Sequence, residues 1–319
     1  MAVVGISVAG ENDGRFGFAQ EWAERAGRAL QHRLSMGSLG EVALLGLMKL
    51  RGYKSHFVDT PAGIQHVLER ECSGDLSKIV MFHGLASCGA HYANLARYLN
   101  KHVRGVLLPD SPGHGMSAIP PDDQAQFEYQ ATVNQAVAEV LDEPAVIFGN
   151  SPGGFLAIRF ALAHPEKVKA LVLCSPGGAA MSDEELQEFL NIFRLNTQED
   201  ALELLKRVFG KLPRFSKFIA WRMRARFSSK VLQDRLDKLR SSELLTAEEL
   251  QSLKVPVVLV WGKEDHVMPE GCLDFFQKNL PPHTRVIEPD EYGHAPFIRF
   301  SRSLSNYILD ALTEIAMQR

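Results

Sequence analysis

From residue 78 onward the chain repeats one unit: a short apolar run, a turn, then a stretch with helical spacing. SKIVMF, VRGVLLPD, PAVIFGN and KALVLCSP are the runs; AHYANLARYLN, DQAQFEYQATVNQAVAEVLD and GGFLAIRFALAHPEKV are the stretches that alternate with them. Runs that stay apolar, without the alternation of a half-exposed strand, belong to strands buried on both faces. Such strands joined by helices require a mostly parallel sheet with helices packed on each side, an α/β fold.

Two regions depart from this rhythm. Residues 179–250 read almost wholly as helix, and VPVVLVWG at 255–262 then resumes the sheet, followed by TRVIEP and a helix around FSRSLSNYILDALTEI. A helical insertion between two strands of one sheet is expected to cap the sheet's C-terminal edge, where ligands bind in open α/β sheets. Upstream, residues 18–51 read as helix, with Trp22, Ala26, Leu30 and Leu34 on one face and Gly52 as a stop. SHFVDT and IQHVLERE around Pro61-Ala62-Gly63 form an opening hairpin. The expected organisation is an N-terminal helical extension (1–55), an α/β core (56–178 and 251–319) and a helical cap (179–250).

Composition narrows the function classes. With 45% hydrophobic and 23% charged residues and a net charge of −3, the 319-residue chain gives no reason to expect a nucleic-acid partner. The four cysteines (Cys72, Cys88, Cys174, Cys272) are widely spaced and suggest neither a metal site nor a disulfide framework. MAVVGISVAGENDGRFGF lacks a secretory n-region, and VALLGLM at 42–48 is far short of the roughly 20 residues of a spanning helix. A cytoplasmic protein is expected.

The chemistry gathers at Gly149-Asn150-Ser151-Pro152-Gly153, a G-x-S-x-G pattern between a strand and an amphipathic helix. That turn presents a serine nucleophile, which needs a histidine base and an acid to hold the base's tautomer. Asp265 follows the VPVVLVWG strand, and His294 lies in a loop before the last helix, so the order serine, acid, histidine is that of the elbow fold.

With these residues assembled, the chain resembles the α/β-hydrolase superfamily over residues 56–319. The motifs that carry the likeness are His83-Gly84, DSPGHGMS from Asp110 to Ser117, Gly149 to Gly154, WGKED ending at Asp265, and Gly293-His294. The resemblance implies a mostly parallel eight-stranded sheet flanked by helices with an inserted cap. It also implies Ser151 as nucleophile, His294 as general base and then acid, Asp265 orienting His294, and the Leu85 backbone N–H as one oxyanion donor. His114 has a competing catalytic reading, and bracing of the loops is the preferred one. The layout is similar to that of monoacylglycerol lipases and related esterases, which implies a serine hydrolase acting on an ester with a medium or long acyl chain. No cofactor or metal is implied.

One position departs from the pattern. The residue after the nucleophile normally lends the second oxyanion N–H, and Pro152 has none. Proline suits the first helical position structurally, but a missing donor costs about 3–4 kcal/mol. A substitute, the Ser87 hydroxyl or the Gly153 N–H, is therefore expected. Two other readings stay open. DSPG, Gly149-Asn150-Ser151 and Pro176-Gly177-Gly178 also resemble the carbon–carbon bond hydrolases of meta-cleavage products, in which a cap arginine such as Arg222 would bind an acidic substrate. A hydrolase-fold binding protein with little or no turnover is the other.

Residues 206–230 hold nine Lys/Arg and no Asp/Glu, interleaved with Phe209, Phe215, Phe218, Trp221, Met223 and Phe227. Either two cap helices face each other with complementary charge and their aromatics buried over the site, or the segment makes a peripheral contact with an anionic membrane or substrate. Phe215, Phe218 and Trp221 are the candidate substrate-binding residues, for a small-molecule ester or lipid.

Overall fold

The computed structural model describes residues 39–119 and 129–317; the helical pattern of 18–38 and the first part of that at 123–142 lie outside the described residues. Helix α1 (Leu39–Leu50) stops at Gly52, whose φ of +89° is open to glycine at no steric cost. Strands β1 (Lys54–Val58) and β2 (Gln65–Glu71) form the expected antiparallel hairpin, with Val58 opposite Gln65. The alternation then runs β3 (Ile79–Phe82), α2 (Ala93–Leu99), β4 (Gly105–Pro109), α3 (Tyr129–Val140), β5 (Ala145–Ser151), α4 (Pro152–Ala163) and β6 (Val168–Pro176). After the helical segment come β7 (Val257–Val260), α10 (Cys272–Asn279), β8 (Arg285–Ile287), α11 (Pro296–Arg299) and α12 (Ser301–Met317). The eight strands form one sheet in the order β1-β2-β4-β3-β5-β6-β7-β8, with β2 antiparallel to both neighbours and the rest parallel.

The apolar runs are explained by the two cores they feed. In β5, Ala145 and Ile147 join the cluster that packs on α3, α4 and α10, while Val146 and Phe148 point into the cluster on α1, α2 and α12. The same period of two divides Val80 and Phe82 from Ile79 and Met81 in β3. Each such side chain contributes about 1.5–3 kcal/mol on burial, so a polar residue at any of these positions would be costly.

Between β6 and β7 lie α5 (Asp183–Asn191), α6 (Gln198–Phe209), α7 (Ser216–Phe227), α8 (Lys230–Lys238) and α9 (Ala247–Gln251), with no strand among the described residues there. Capping boxes at Ser182/Glu185 and Thr197/Asp200 start α5 and α6. The first four of these helices share an apolar cluster of their own, including Leu190, Leu204, Ala220, Phe227 and Leu236, with Val267 of the core joining it and Leu85 packed against it. The four cysteines are free, and no helix among the described residues is long and apolar enough to cross a membrane.

Candidate active site

The turn from β5 into α4 holds Ser151 at φ +57° and ψ −129°, the strained backbone of a sharp strand-to-helix turn at the sheet edge, with the residue itself largely buried. Small neighbours make the turn feasible. A Cβ on Gly153 would stand 2.1 Å from the Phe82 carbonyl oxygen, and one on Gly149 would stand 2.2 Å from that of Gly153. Pro152 occupies the first helical position.

Two loops at the same edge complete the arrangement. His294 Nε2 lies 2.8 Å from Ser151 Oγ, and His294 Nδ1 lies 2.8 Å from Asp265 Oδ2. The carboxylate can only accept, so Nδ1 carries the proton and Nε2 is bare to take that of Ser151. Asp265 Oδ1 accepts from the Val267 N–H at 3.0 Å and the Met268 N–H at 3.3 Å. Burial pushes the Asp265 carboxyl up, but His294 and the Val267 N–H more than offset it, and it is held below the usual carboxylate range. A serine hydroxyl bonded to an imidazole that is itself bonded to a buried carboxylate can attack an acyl carbon while passing its proton to the ring.

Helix α6 helps to seat the histidine loop. Its terminal carbonyl groups have no intrahelical donors, and the Val208 oxygen accepts from the His294 N–H at 2.9 Å while the Arg207 oxygen accepts from the His266 N–H at 3.4 Å. From the other side, Asn150 Nδ2 donates to the His294 carbonyl at 2.9 Å and to the Cys174 carbonyl at 3.0 Å. Neither tie was visible in the sequence. Asn150 fills a variable place in its motif, and its partner is 144 residues away.

The segment after β3 lies beside Ser151. His83 Nδ1 donates to the Gly84 carbonyl and His83 Nε2 accepts from the Ser111 N–H, which fixes a neutral tautomer. Burial, reinforced by nearby His114, pushes His83 down to about 4. The Leu85 N–H meets no acceptor among the described residues, as an oxyanion donor requires. Ser87 Oγ sits 2.9 Å from His91 Nδ1, and Glu41 faces His91 Nε2 at 3.6 Å. A carboxylate on that side favours the proton on Nε2, so the Ser87 hydroxyl proton turns toward Nδ1. Arg226 of α7 donates to the Ser87 carbonyl and pairs with Glu41, joining α1, α7 and this loop. Ligand atoms of Glu41, Cys88 and His91 gather within 4.8 Å, but an arginine already holds the carboxylate and a serine the imidazole.

His114 belongs to the loop after β4. Its Nδ1 bonds the Pro112 carbonyl at 3.0 Å, and its ring packs on His83. Asp110, buried, accepts from the Gly89 N–H at 2.8 Å and the Met116 N–H at 2.7 Å and pairs with His66. Burial would raise the Asp110 carboxyl, yet His66 and the other donors hold it well below the usual range.

Above Ser151 opens a cleft of about 2230 Å³ whose walls come from the core loops and the helical segment. Of the three aromatics expected to bind substrate, Trp221 lines it; Phe215 and Phe218, 71% and 60% exposed, do not. The reason is the register of α7, which buries Ala220 and Phe227 and turns Phe218 outward. The aromatic lining comes instead from Phe155, Phe189, Phe193 and Phe297, among others.

A family model described as the alpha/beta hydrolase fold matches residues 78–300. A pimeloyl-[acyl-carrier protein] methyl ester esterase of Nitrosomonas europaea is 31% identical over 247 residues, covering 72% of this chain and 93% of that protein. A 2-hydroxy-6-oxononadienedioate/2-hydroxy-6-oxononatrienedioate hydrolase of Cupriavidus pinatubonensis is 28% identical over 232 residues, covering 68% and 76%. Among solved structures, a bacterial membrane phospholipase A superposes with a TM-score of 0.71 at 23% identity, covering 91% of this chain and 97% of that one, which is a likeness of fold. With its sheet order, its serine turn and this match, the chain belongs to the α/β-hydrolase fold family.

Proposed function

We propose that the protein hydrolyses carboxylic esters through an acyl-enzyme on Ser151. The observation that carries this reading is the hydrogen-bonded chain from Ser151 through His294 to Asp265; the 31% identical esterase supports the reaction class. Ser151 Oγ attacks the carbonyl carbon as His294 Nε2 takes its proton, and Asp265 stabilises the imidazolium. His294 then protonates the departing alcohol. In the second half a water, deprotonated by His294, attacks the acyl carbon and releases the acid.

The Leu85 N–H receives the developing oxyanion. Pro152 offers nothing, and the Ser87 hydroxyl, turned to His91 at rest, can help only by rotating away. The Gly153 N–H, next along the same helix N-terminus, is the other candidate. Residues 179–250 act as a cap over the core of 56–178 and 251–319, and their apolar lining suits an acyl chain of medium or long length. Within the 1–55 extension, α1 is tied to the cap through Glu41 and Arg226.

Hydrolysis of p-nitrophenyl esters from acetate to palmitate, with Ser151→Ala alongside, tests the proposal. Steady turnover that vanishes in the variant is expected, with the preferred chain length reporting the depth of the cleft; no turnover at any length overturns it. The carbon–carbon hydrolase reading is favoured by Arg222, which lines the cleft, and by the 28% identical 2-hydroxy-6-oxononadienedioate/2-hydroxy-6-oxononatrienedioate hydrolase. It predicts cleavage of an acidic dienol-ketone in place of the esters. A binding protein would instead take up ligand stoichiometrically and release no product.

A further inference from the structure

We infer that the outer face of α7, with the turn before it, is a docking surface for an anionic phospholipid bilayer. Helix α7 is apolar on both sides. One side, Ala220 and Phe227, is buried in the cluster of α5–α8. The other presents Phe218, Ile219 and Trp221 to water, continued by Leu212 and Phe215 in the turn. Of the eleven large apolar side chains exposed among the described residues, these are five, gathered within ten positions of sequence. Rings of Phe218 and Trp221 lie 5.9 Å apart, so they form one continuous patch. Apolar area of this kind left in water marks an interaction site.

Charge identifies the partner. The segment 206–230 carries nine cations and no carboxylate, and although Arg207, Arg226 and Lys230 pair with acids elsewhere, Lys211, Arg214 and Lys217 enter no salt bridge among the described residues and are exposed. An acidic protein would complement the cations. A bilayer interface complements both features at once: lipid phosphates meet Lys and Arg, and Trp and Phe rings seat at the boundary with the acyl chains. The face also forms part of the cleft's rim, because Ile219, Trp221 and Arg222 line the cleft that holds Ser151. Docking would thus set the mouth of the cleft on the lipid phase. That last step rests on the proposed ester hydrolysis; the docking itself does not.

Co-sedimentation of the full chain with phosphatidylglycerol-containing vesicles, against pure phosphatidylcholine vesicles, at low and high salt, tests the inference. Binding to the anionic vesicles, weakened by salt, is expected. Lys211→Glu/Lys217→Glu and Leu212→Ser should each lower the partition coefficient by about tenfold or more, with thermal stability and hydrolysis of p-nitrophenyl acetate unchanged. Ser151→Ala should bind like the wild type, which separates this inference from the hydrolase reading. It is overturned by absent binding, by equal partition into neutral vesicles, by variants that bind normally, or by a solution dimer that hides Leu212 and Phe218.

Discussion

Asn150 is the sharpest test of how the site is held. Its amide bridges the strand that carries Ser151 to the backbone of His294, through bonds of 3.0 Å to the Cys174 carbonyl and 2.9 Å to the His294 carbonyl. Both carbonyls lie in a region where Asn150 itself is only 2% exposed. In Asn150→Ala the His294 carbonyl loses this buried donor, which costs about 1–3 kcal/mol. The Cys174 carbonyl belongs to a paired strand and should cost less. A total of about 2–3 kcal/mol corresponds to a fall in Tm of roughly 3–5 °C for a chain of 319 residues. The kinetic effect should be larger in kcat than in KM, because the released loop shifts the imidazole relative to Ser151, and a displacement of about 1 Å can cost a hundredfold. Thermal unfolding together with p-nitrophenyl butyrate kinetics reads both. Asn150→Asp separates hydrogen bonding from size: a carboxylate facing two carbonyl groups should be at least as damaging as alanine. A Tm and kcat close to wild type in both variants would refute the reasoning.

Other consequences follow from the same geometry. His83, pushed down to about 4 from 6.5 by burial, binds its proton more weakly folded than unfolded, so its contribution to stability is present above pH about 6.5 and lost as the pH falls toward 4. Between pH 7 and 5 that amounts to about 2 kcal/mol; urea unfolding at the two values should show it, and His83→Asn should flatten the slope. Asp110 acts in the same direction at lower pH, its contribution fading as the pH drops below about 4. With the Gly153 N–H serving as the second oxyanion donor, Pro152→Ala should change kcat/KM by less than about threefold, whereas a rise of about tenfold would show that the donor lost at Pro152 is not replaced. Ser87→Ala, which removes a hydroxyl whose proton faces His91, should likewise change it less than about threefold. A hundredfold loss in Ser87→Ala would put that hydroxyl in the oxyanion hole. Arg226→Gln should lower kcat for long-chain esters more than for acetate, since it unties α7 from the Ser87 loop; equal effects on both would count against that link.

Much of this architecture can be read from residue order because strands and turns announce themselves locally. The β5 run is apolar at every position before Gly149 because both its faces are covered, and the serine turn carries small residues where backbones nearly touch. Asp265 and His294 stood out for the same reason: each follows a strand end, in the order the fold uses. What escaped is long-range. The bond from Val208 to the His294 N–H depends on where α6 stops. The pair of Arg226 with Glu41 spans 185 positions. Helix α7 hid its orientation because apolar residues surround it, leaving no period to say whether Phe218 or Phe227 faces inward. Strand β8, three residues long and partly exposed, carries too little apolar signal to set its ends.

The central claim is that Ser151 is an activated nucleophile that becomes acylated. Treatment with a fluorophosphonate followed by peptide mass spectrometry tests it most directly, on the wild type, Ser151→Ala and His294→Ala. The account predicts a single adduct on the peptide containing Ser151, lost in Ser151→Ala, slowed strongly in His294→Ala, and formed in step with the loss of esterase activity. An unlabelled Ser151, or ester turnover that survives its replacement by alanine, would contradict it.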